Sequence, residues 1–169
     1  MTPVIRKATI SDAVGISTVQ TLSWKITYSG IIADSYLDSL DIDSKTDWWK
    51  KAISQNVSVF VAETDRIIGF ATGGKGNGQD SSYEGELYAI YLLKQFQGNG
   101  IGKKLFDEVV IEMMQNGISS MLVWVLKDNP SKNFYIKQGA KLIKKEVIEI
   151  SNEKVIEEAY GWSELSQIH

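Results

Sequence analysis

One segment, residues 86–116, constrains the fold of this chain more than any other. It opens with a nearly continuous apolar run, Leu87 to Leu93, in which β-branched and aromatic residues recur. Such a run predicts a central β-strand covered on both faces. Three glycines at alternate positions follow, and apolar residues then recur every fourth position, at Ile101, Leu105, Val109 and Met113. The segment therefore predicts a strand, a glycine-rich turn and an amphipathic helix.

The glycine-rich turn between this strand and helix predicts an anion-binding site. Gly98, Gly100 and Gly102 have no Cβ, so the backbone can adopt positive φ and a ligand can approach its amides. The first N–H groups of a helix have no internal partner, and the helix dipole favours an anion there by about 0.3–1 kcal/mol. A phosphate group suits this position. The glycine spacing alone leaves equally open a turn that only closes a strand–helix corner.

Composition removes several classes of chemistry. The chain has 169 residues, no cysteine, and a single histidine at position 169. Zinc sites built from Cys and His, thiol nucleophiles and Ser-His-Asp triads are therefore excluded, and we expect no metal. The length suits one domain spanning residues 1–169.

Charge and hydropathy argue against a nucleic-acid surface and against a membrane-spanning protein. The net charge is −3 and the basic residues are scattered, whereas a nucleic-acid surface needs clustered Lys and Arg. The N-terminus lacks an apolar leader, and no apolar run is long enough to cross a bilayer. We expect a cytoplasmic protein.

The remaining pattern predicts a mixed α/β domain. Strands are predicted at residues 4–8, 58–63, 67–72 and 121–126, with a closing hairpin of 142–150 and 155–162. A helix capped by Ser11 and ended by Gly30 presents Ile16, Val19, Leu22 and Ile26 as its apolar face. Helices at 33–40 and 43–54 carry Trp48 and Trp49 as expected core residues, and residues 73–78 are expected to form a flexible loop.

Two other phosphate-binding motifs fit the turn poorly. The dinucleotide fingerprint places its third glycine one residue later than Gly102, and no acidic residue closes the next strand, which ends at Leu126 and Lys127. A Walker motif needs a hydroxyl residue after Gly102 and Lys103, where Lys104 stands. A dinucleotide-dependent oxidoreductase is therefore a weak alternative.

The sequence Gln97-Gly98-Asn99-Gly100-Ile101-Gly102 resembles the central motif of the GCN5-related N-acetyltransferases, Q/R-x-x-G-x-G/A. The order of the surrounding elements is similar as well, including the short helix from Asn129-Pro130 to Phe134-Tyr135. The resemblance implies a GNAT-like α/β fold: one mixed, mostly antiparallel sheet, splayed at the central strand and flanked by helices.

The same resemblance implies acetyl-CoA as co-substrate. Its pyrophosphate would be held by the backbone amides of the turn, and its pantetheine arm would pair with the central strand through the splayed gap. Asn129 resembles an asparagine that contacts this arm, although it stands one residue closer to Tyr135 than in the commonest pattern. The expected cofactor-binding residues are Ile90, Tyr91, Leu92, Gln97, Gly98, Asn99, Gly100, Ile101, Gly102, Lys103 and Asn129.

Acid and base roles fall on tyrosine and carboxylate because no usable histidine or cysteine exists. Tyr135 matches the family tyrosine that protonates the departing thiolate. Glu86 lies at the same separation from the turn as the catalytic glutamate of the histone-acetylating branch, so it is the expected base, with Glu84 and Tyr88 as substitutes. An exposed structural glutamate is the alternative for Glu86.

The acceptor is expected to be a small-molecule amine that attacks the thioester directly. Trp24 and Tyr28 are four residues apart, and either pack beneath a loop or line a substrate groove; the groove is our site prediction. The closing strands, with Tyr160-Gly161-Trp162, would suit a homodimer or burial within the monomer. A non-catalytic acyl-CoA sensor would keep the turn and lose the acid, so Tyr135 argues against that alternative.

Overall fold

The computed structural model describes residues 2–76 and 82–168. Seven strands form one sheet in the order β1-β2-β3-β4-β5-β7-β6, antiparallel throughout except for the parallel pair β4 and β5. The strands are β1 (Val4–Lys7), β2 (Val59–Glu63), β3 (Ile67–Lys75), β4 (Gly85–Leu92), β5 (Met121–Leu126), β6 (Lys141–Ile150) and β7 (Glu153–Trp162). The predicted mixed, mostly antiparallel sheet is confirmed.

Within the two described ranges, five α-helices flank this sheet: α1 (Ala13–Tyr28), α2 (Asp34–Asp38), α3 (Ile42–Ser54), α4 (Ile101–Gln115) and α5 (Lys132–Lys137). Helices α1 and α3 cover one face, where Trp49 packs on Phe70 of β3 with ring centroids 5.3 Å apart. Helix α4 covers the other face, and its Phe106 contacts Phe134 of α5 and Trp162 of β7 at 5.7 and 5.3 Å. Within the described ranges, no helix combines the length and the apolar character that a membrane span requires.

Strands β4 and β5 are joined over only two residue pairs, Gly85–Met121 and Glu86–Leu122. Beyond that point β4 continues along β3, and β5 continues along β7. A β-bulge lies where the divergence begins, because Tyr88 is the extra residue between the pairs Thr72–Ala89 and Gly73–Leu87. Bulges increase local twist and bend a strand, so this one turns β4 away from β5.

The helix after the turn follows its sequence pattern closely. All four residues of the predicted stripe, Ile101, Leu105, Val109 and Met113, are buried against the sheet. The stripe recurs every fourth residue, which keeps it on one side of a helix with 3.6 residues per turn. The prediction for α4 is confirmed.

Two predicted apolar sets are partly wrong. In α1, Ile16 and Val19 are buried, but Leu22 and Ile26 are exposed, and Ser23 and Tyr28 face inward instead. The apolar stripe of α1 therefore ends halfway, where the helix reaches the gap between β4 and β5. In α3, Trp49 is buried whereas Trp48 is 61% exposed.

The start of α1 and the glycine segment also differ from expectation. The helix is preceded by a short 3₁₀ turn in which Asp12, rather than Ser11, accepts the Thr9 backbone N–H at 2.8 Å and pairs with Arg6 at 2.8 Å. Gly73, Gly74 and Lys75 belong to β3, so the first half of the predicted loop is strand instead. Its last two residues, 77 and 78, lie outside the described ranges.

The closing hairpin turns at Ser151 and Asn152, between β6 and β7. Both residues have positive φ, 51° and 66°. Two successive positive φ values match the twist that a tight antiparallel hairpin needs. The adjacent strand β7 carries Glu158, a buried carboxylate that pairs with Lys132 of α5 at 3.3 Å and with Lys145 of β6 at 3.4 Å. These pairs tie α5 to the hairpin.

Gly73 is a glycine because α4 packs tightly against it. A Cβ there would lie 2.7 Å from Met113 Cε and 2.9 Å from Val109 Cγ1. We expect Gly73→Ala to lower the free energy of unfolding by about 1–3 kcal/mol through overpacking, measured by urea denaturation. The matched control is Gly74→Ala on the opposite face, whose Cβ would meet only the tip of the exposed Tyr88 side chain, at 3.2 Å. Equal losses in the two variants would contradict this packing argument.

Candidate active site

The splay of β4 from β5 leaves one edge of the central strand without a strand partner over residues 87–92, within the described ranges. These residues pair with β3 on their other edge only. Backbone groups on the open edge need another hydrogen-bond partner. Gln97 already supplies one, because its Nε2 donates to the Leu92 carbonyl at 3.0 Å.

The glycine turn has the conformation that its sequence predicts. Gly98 and Gly100 have φ values of +83° and +80°, which disfavour any residue with a Cβ. Considering only the described residues, the backbone N–H groups of residues 98–103 have no acceptor. They project into open space at the start of α4, where an anion would satisfy them. The Lys103 ammonium is held by Asp107 at 2.6 and 2.8 Å, so this residue offers the turn its amide rather than its charge.

Two cavities meet at the gap. The first, which we call the turn cavity, has a volume of about 720 Å³ and lies between the glycine turn and α5. The second, the groove cavity, has a volume of about 260 Å³ and lies between α1 and the strands β4, β5 and β7. Five residues line both cavities: Ile90, Leu92, Gln97, Ser131 and Tyr135.

Tyr135 stands at this junction. The residue is only 5% exposed, and its ring is held by Phe134 and Trp162 at centroid distances of 5.8 and 6.2 Å. Its hydroxyl makes no hydrogen bond to any other residue that the structure describes. Burial raises the pKa of Tyr135 well above its ordinary value, with smaller contributions from Tyr91 and Tyr28. The residue is thus a protonated donor without a partner.

Trp24 and Tyr28, the two predicted substrate-binding residues, both line the groove cavity. Their rings lie 4.6 Å apart. Trp24 Nε1 donates to the Tyr91 hydroxyl at 2.8 Å, and Asn129 Nδ2 donates to the Tyr28 hydroxyl at 3.0 Å. The side-chain oxygen of Asn129 also accepts the Ser131 backbone N–H at 2.9 Å. Asn129 therefore organises the turn that precedes α5, a helix that begins at Lys132.

Glu86 differs from the two substitute bases, Glu84 and Tyr88. Its side chain makes no hydrogen bond or ion pair within the described part of the chain. Burial raises the pKa of Glu86, and the charge of Glu157 raises it further. By contrast, Glu84 accepts from the Ser119 hydroxyl at 2.6 Å and from its N–H at 3.1 Å. Tyr88 donates to the Lys75 carbonyl.

Glu157 lines the groove cavity and was missed in the sequence. Its neighbour Glu158 faces α5, so alternation along the strand turns Glu157 toward α1. That face also carries Val155, which packs in a buried apolar cluster, and Ala159. The sequence signal that could have identified Glu157 is therefore its position between two apolar residues on the inward-facing side of the strand.

The splayed sheet and glycine turn define an acetyltransferase fold, and sequence comparison agrees. The chain matches the Acetyltransferase (GNAT) family over residues 20–140. It belongs to this family and is an N-acetyltransferase by class. Among the described residues, no cluster of acidic or histidine side chains could hold a metal ion.

Three relatives illustrate the similarity. The uncharacterized N-acetyltransferase YuaI of Bacillus subtilis is 36% identical over 164 residues, 97% of this chain and 95% of its own. The PaiA N-acetyltransferase of Thermoplasma acidophilum, solved in complex with coenzyme A, is 28% identical with a TM-score of 0.69, over 94% of this chain and 98% of that one. The acetyltransferase YncA of Salmonella typhimurium, solved with acetyl-CoA, has a TM-score of 0.72 at 18% identity, over 100% and 97% of the two chains, and it supports the fold alone.

Proposed function

We propose that this protein transfers an acetyl group from acetyl-CoA to a small primary amine by direct attack, with both substrates bound together. The observation that carries the proposal is the unpartnered Tyr135 hydroxyl at the junction of two cavities. One cavity leads to amides suited to a diphosphate, and the other leads to an aromatic groove. A group at the junction can therefore meet both substrates.

The residues present fit coenzyme A. The free N–H groups of residues 98–103 suit its pyrophosphate. The Leu93 N–H donates to Ile68 of β3, so by alternation the backbone groups of Tyr91 also face β3 and those of Ile90 face the open edge. There Ile90 offers hydrogen bonds to the amides of the pantetheine arm. Lys137 also lines the turn cavity and adds positive charge for the phosphates. Leu92 contributes less than the sequence implied, because its carbonyl accepts from Gln97.

Asn129 has a different role in this proposal. Its amide nitrogen donates to Tyr28 and its oxygen accepts from Ser131. Each polar atom therefore has a protein partner. We assign Asn129 to positioning Tyr28 and the start of α5 rather than to contacting the arm.

The chemical step divides between two side chains. Glu86 takes a proton from the ammonium form of the acceptor, directly or through water, and frees the nitrogen lone pair. The nitrogen forms a bond to the acetyl carbon, the carbon–sulfur bond breaks, and the Tyr135 hydroxyl gives its proton to the departing sulfur. The nitrogen releases its second proton to water as the neutral amide forms, and Tyr135 regains a proton from solvent. The raised pKa of Tyr135 keeps its hydroxyl protonated near neutral pH, so the proton is available to the departing sulfur. No covalent acetyl-enzyme is required.

The turn assignment predicts a selective loss of cofactor affinity. Gly98→Ala and Gly117→Ala both place a Cβ at positive φ, +83° and +78°, with no atom within 4 Å of it. Both should lose about 1–2 kcal/mol of stability, but only Gly98→Ala should weaken coenzyme A binding, by about tenfold or more. Calorimetric titration of each variant measures this. Unchanged affinity in Gly98→Ala would rule out the turn as the pyrophosphate site.

The acid assignment predicts that Tyr135→Phe lowers kcat by about 10²- to 10⁴-fold. Coenzyme A affinity and thermal stability should stay close to wild type, because the hydroxyl has no partner within the described chain. The control is Tyr160→Phe, another buried tyrosine, which lines neither cavity. Steady-state thiol release is the measurement. Full turnover in Tyr135→Phe would overturn the assignment, and coenzyme A binding without turnover of any amine by wild type would favour the acyl-CoA sensor.

The base assignment predicts a particular pH dependence. Glu86 accepts a proton only when ionised, so its raised pKa moves the acidic limb of kcat/KM to higher pH than an ordinary glutamate would give. Glu86→Gln should lose about 10²-fold in kcat/KM near neutral pH, and the loss should shrink at high pH, where the amine is already free. Glu84→Gln, whose carboxylate is engaged by Ser119, is the control. A pH-independent loss would assign Glu86 to binding instead.

A further inference from the structure

Glu157 is a carboxylate without a cation. It lies on β7, is partly buried, and lines the groove cavity. No Lys or Arg among the described residues forms an ion pair with it. The adjacent Glu158 has two such partners, Lys132 and Lys145. A partly buried carboxylate normally has a partner, because removing its charge from water costs free energy.

The charged groups around Glu157 do not supply the missing cation. Glu146 is its cross-strand partner on β6. The charge of Glu157 also raises the pKa of Tyr28 on α1 and the pKa of Glu86 on β4. The nearby cation on this face, Lys144, pairs with Glu146 at 3.5 Å. Burial raises the pKa of Glu157, and the charge of Glu146 raises it further. A cation in the cavity would offset both effects.

The cavity walls suit an organic cation. Trp24, Tyr28 and Trp124 line it, and aromatic faces attract ammonium groups. Trp124 already contacts an ammonium group, because Lys144 Nζ lies 5.3 Å from its ring centroid. Trp124 therefore shows that a primary ammonium is accommodated on this face of the sheet.

A second observation, independent of the acidic residues, also points to a ligand. Ser23 lines the same cavity, and the residue is 9% exposed. Its hydroxyl is buried without a hydrogen-bond partner in the described part of the chain. A buried hydroxyl left unpaired costs about 1–3 kcal/mol. Rotation of the Ser23 side chain toward the cavity would allow an N–H group of a bound molecule to supply the missing partner.

The position of Glu157 separates it from the reacting nitrogen. Tyr135 approaches the gap from α5, on the face where Glu158 lies, whereas Glu157 projects from the opposite face toward α1. A molecule spanning the gap must therefore meet the two residues with different atoms. Resting on the proposed function, we infer that the acceptor carries a second ammonium group, and that Glu157 binds this group while the first is acetylated beside Tyr135.

The test compares diaminoalkanes with monoamines of the same chain length, beginning with 1,4-diaminobutane and 1-aminobutane, at a pH where both are protonated. Wild type should show a KM roughly 10- to 100-fold lower for the diamine, the worth of one charged contact. Glu157→Gln should abolish this preference, so that the diamine and the monoamine have similar KM values in the variant. Glu149→Gln is the matched control, because it removes the same charge from the same hairpin on the opposite face.

Equal KM values in wild type across the diamine series would overturn the inference, as would a preference that survives in Glu157→Gln. Calorimetric titration of 1,4-diaminobutane into the coenzyme A complex tests the same site without turnover. Tighter diamine binding that depends on Glu157 supports the inference even if no amine is acetylated, an outcome that would refute the proposed function alone. Absence of that dependence overturns the inference alone.

Discussion

The short pairing between β4 and β5 is the constraint on which the site depends. Two residue pairs join these strands, and each strand then follows a different neighbour, β3 or β7. The bulge at Tyr88 adds twist at the point of separation. The gap is therefore created by the outer pairings, and it exists before any ligand arrives. Closing it would sacrifice ladder hydrogen bonds on both sides, so the open edge is the lower-energy arrangement.

Helix α1 connects the two sides of that gap. Trp24 bonds to Tyr91 on β4, and one turn later Tyr28 bonds to Asn129 after β5. The two aromatic residues therefore act as a brace across the opening as well as a cavity wall. This explains why the apolar stripe of α1 stops after Val19, since the rest of the helix faces a polar site rather than the core. The point at which the apolar periodicity of α1 stops therefore indicates where the helix begins to line the site.

Local patterns predicted the elements well and their partners less well. The turn and α4 could be predicted because glycine conformation and helical periodicity are properties of neighbouring residues. Trp48, Gly73 and Glu157 were misassigned or missed because their surroundings are set by distant chain segments. Trp48 and Trp49 differ only in which side of α3 meets β3, and Gly73 is a strand residue because it pairs with Leu87 of β4. The membership of Glu157 in the site requires the register of β7 against β5.

The two neighbouring glutamates of β7 show how a remote turn can govern chemistry. Glu158 anchors the helix that carries Tyr135, and Glu157 faces the groove on the other side of the sheet. Side chains alternate with a period of two, so sliding β7 by a single residue would exchange these environments. The left-handed conformations of Ser151 and Asn152 fix that alignment from the far end of the hairpin. Insertions at this turn would consequently disrupt substrate recognition and the placement of the acid together, although Ser151 and Asn152 do not approach the reacting atoms.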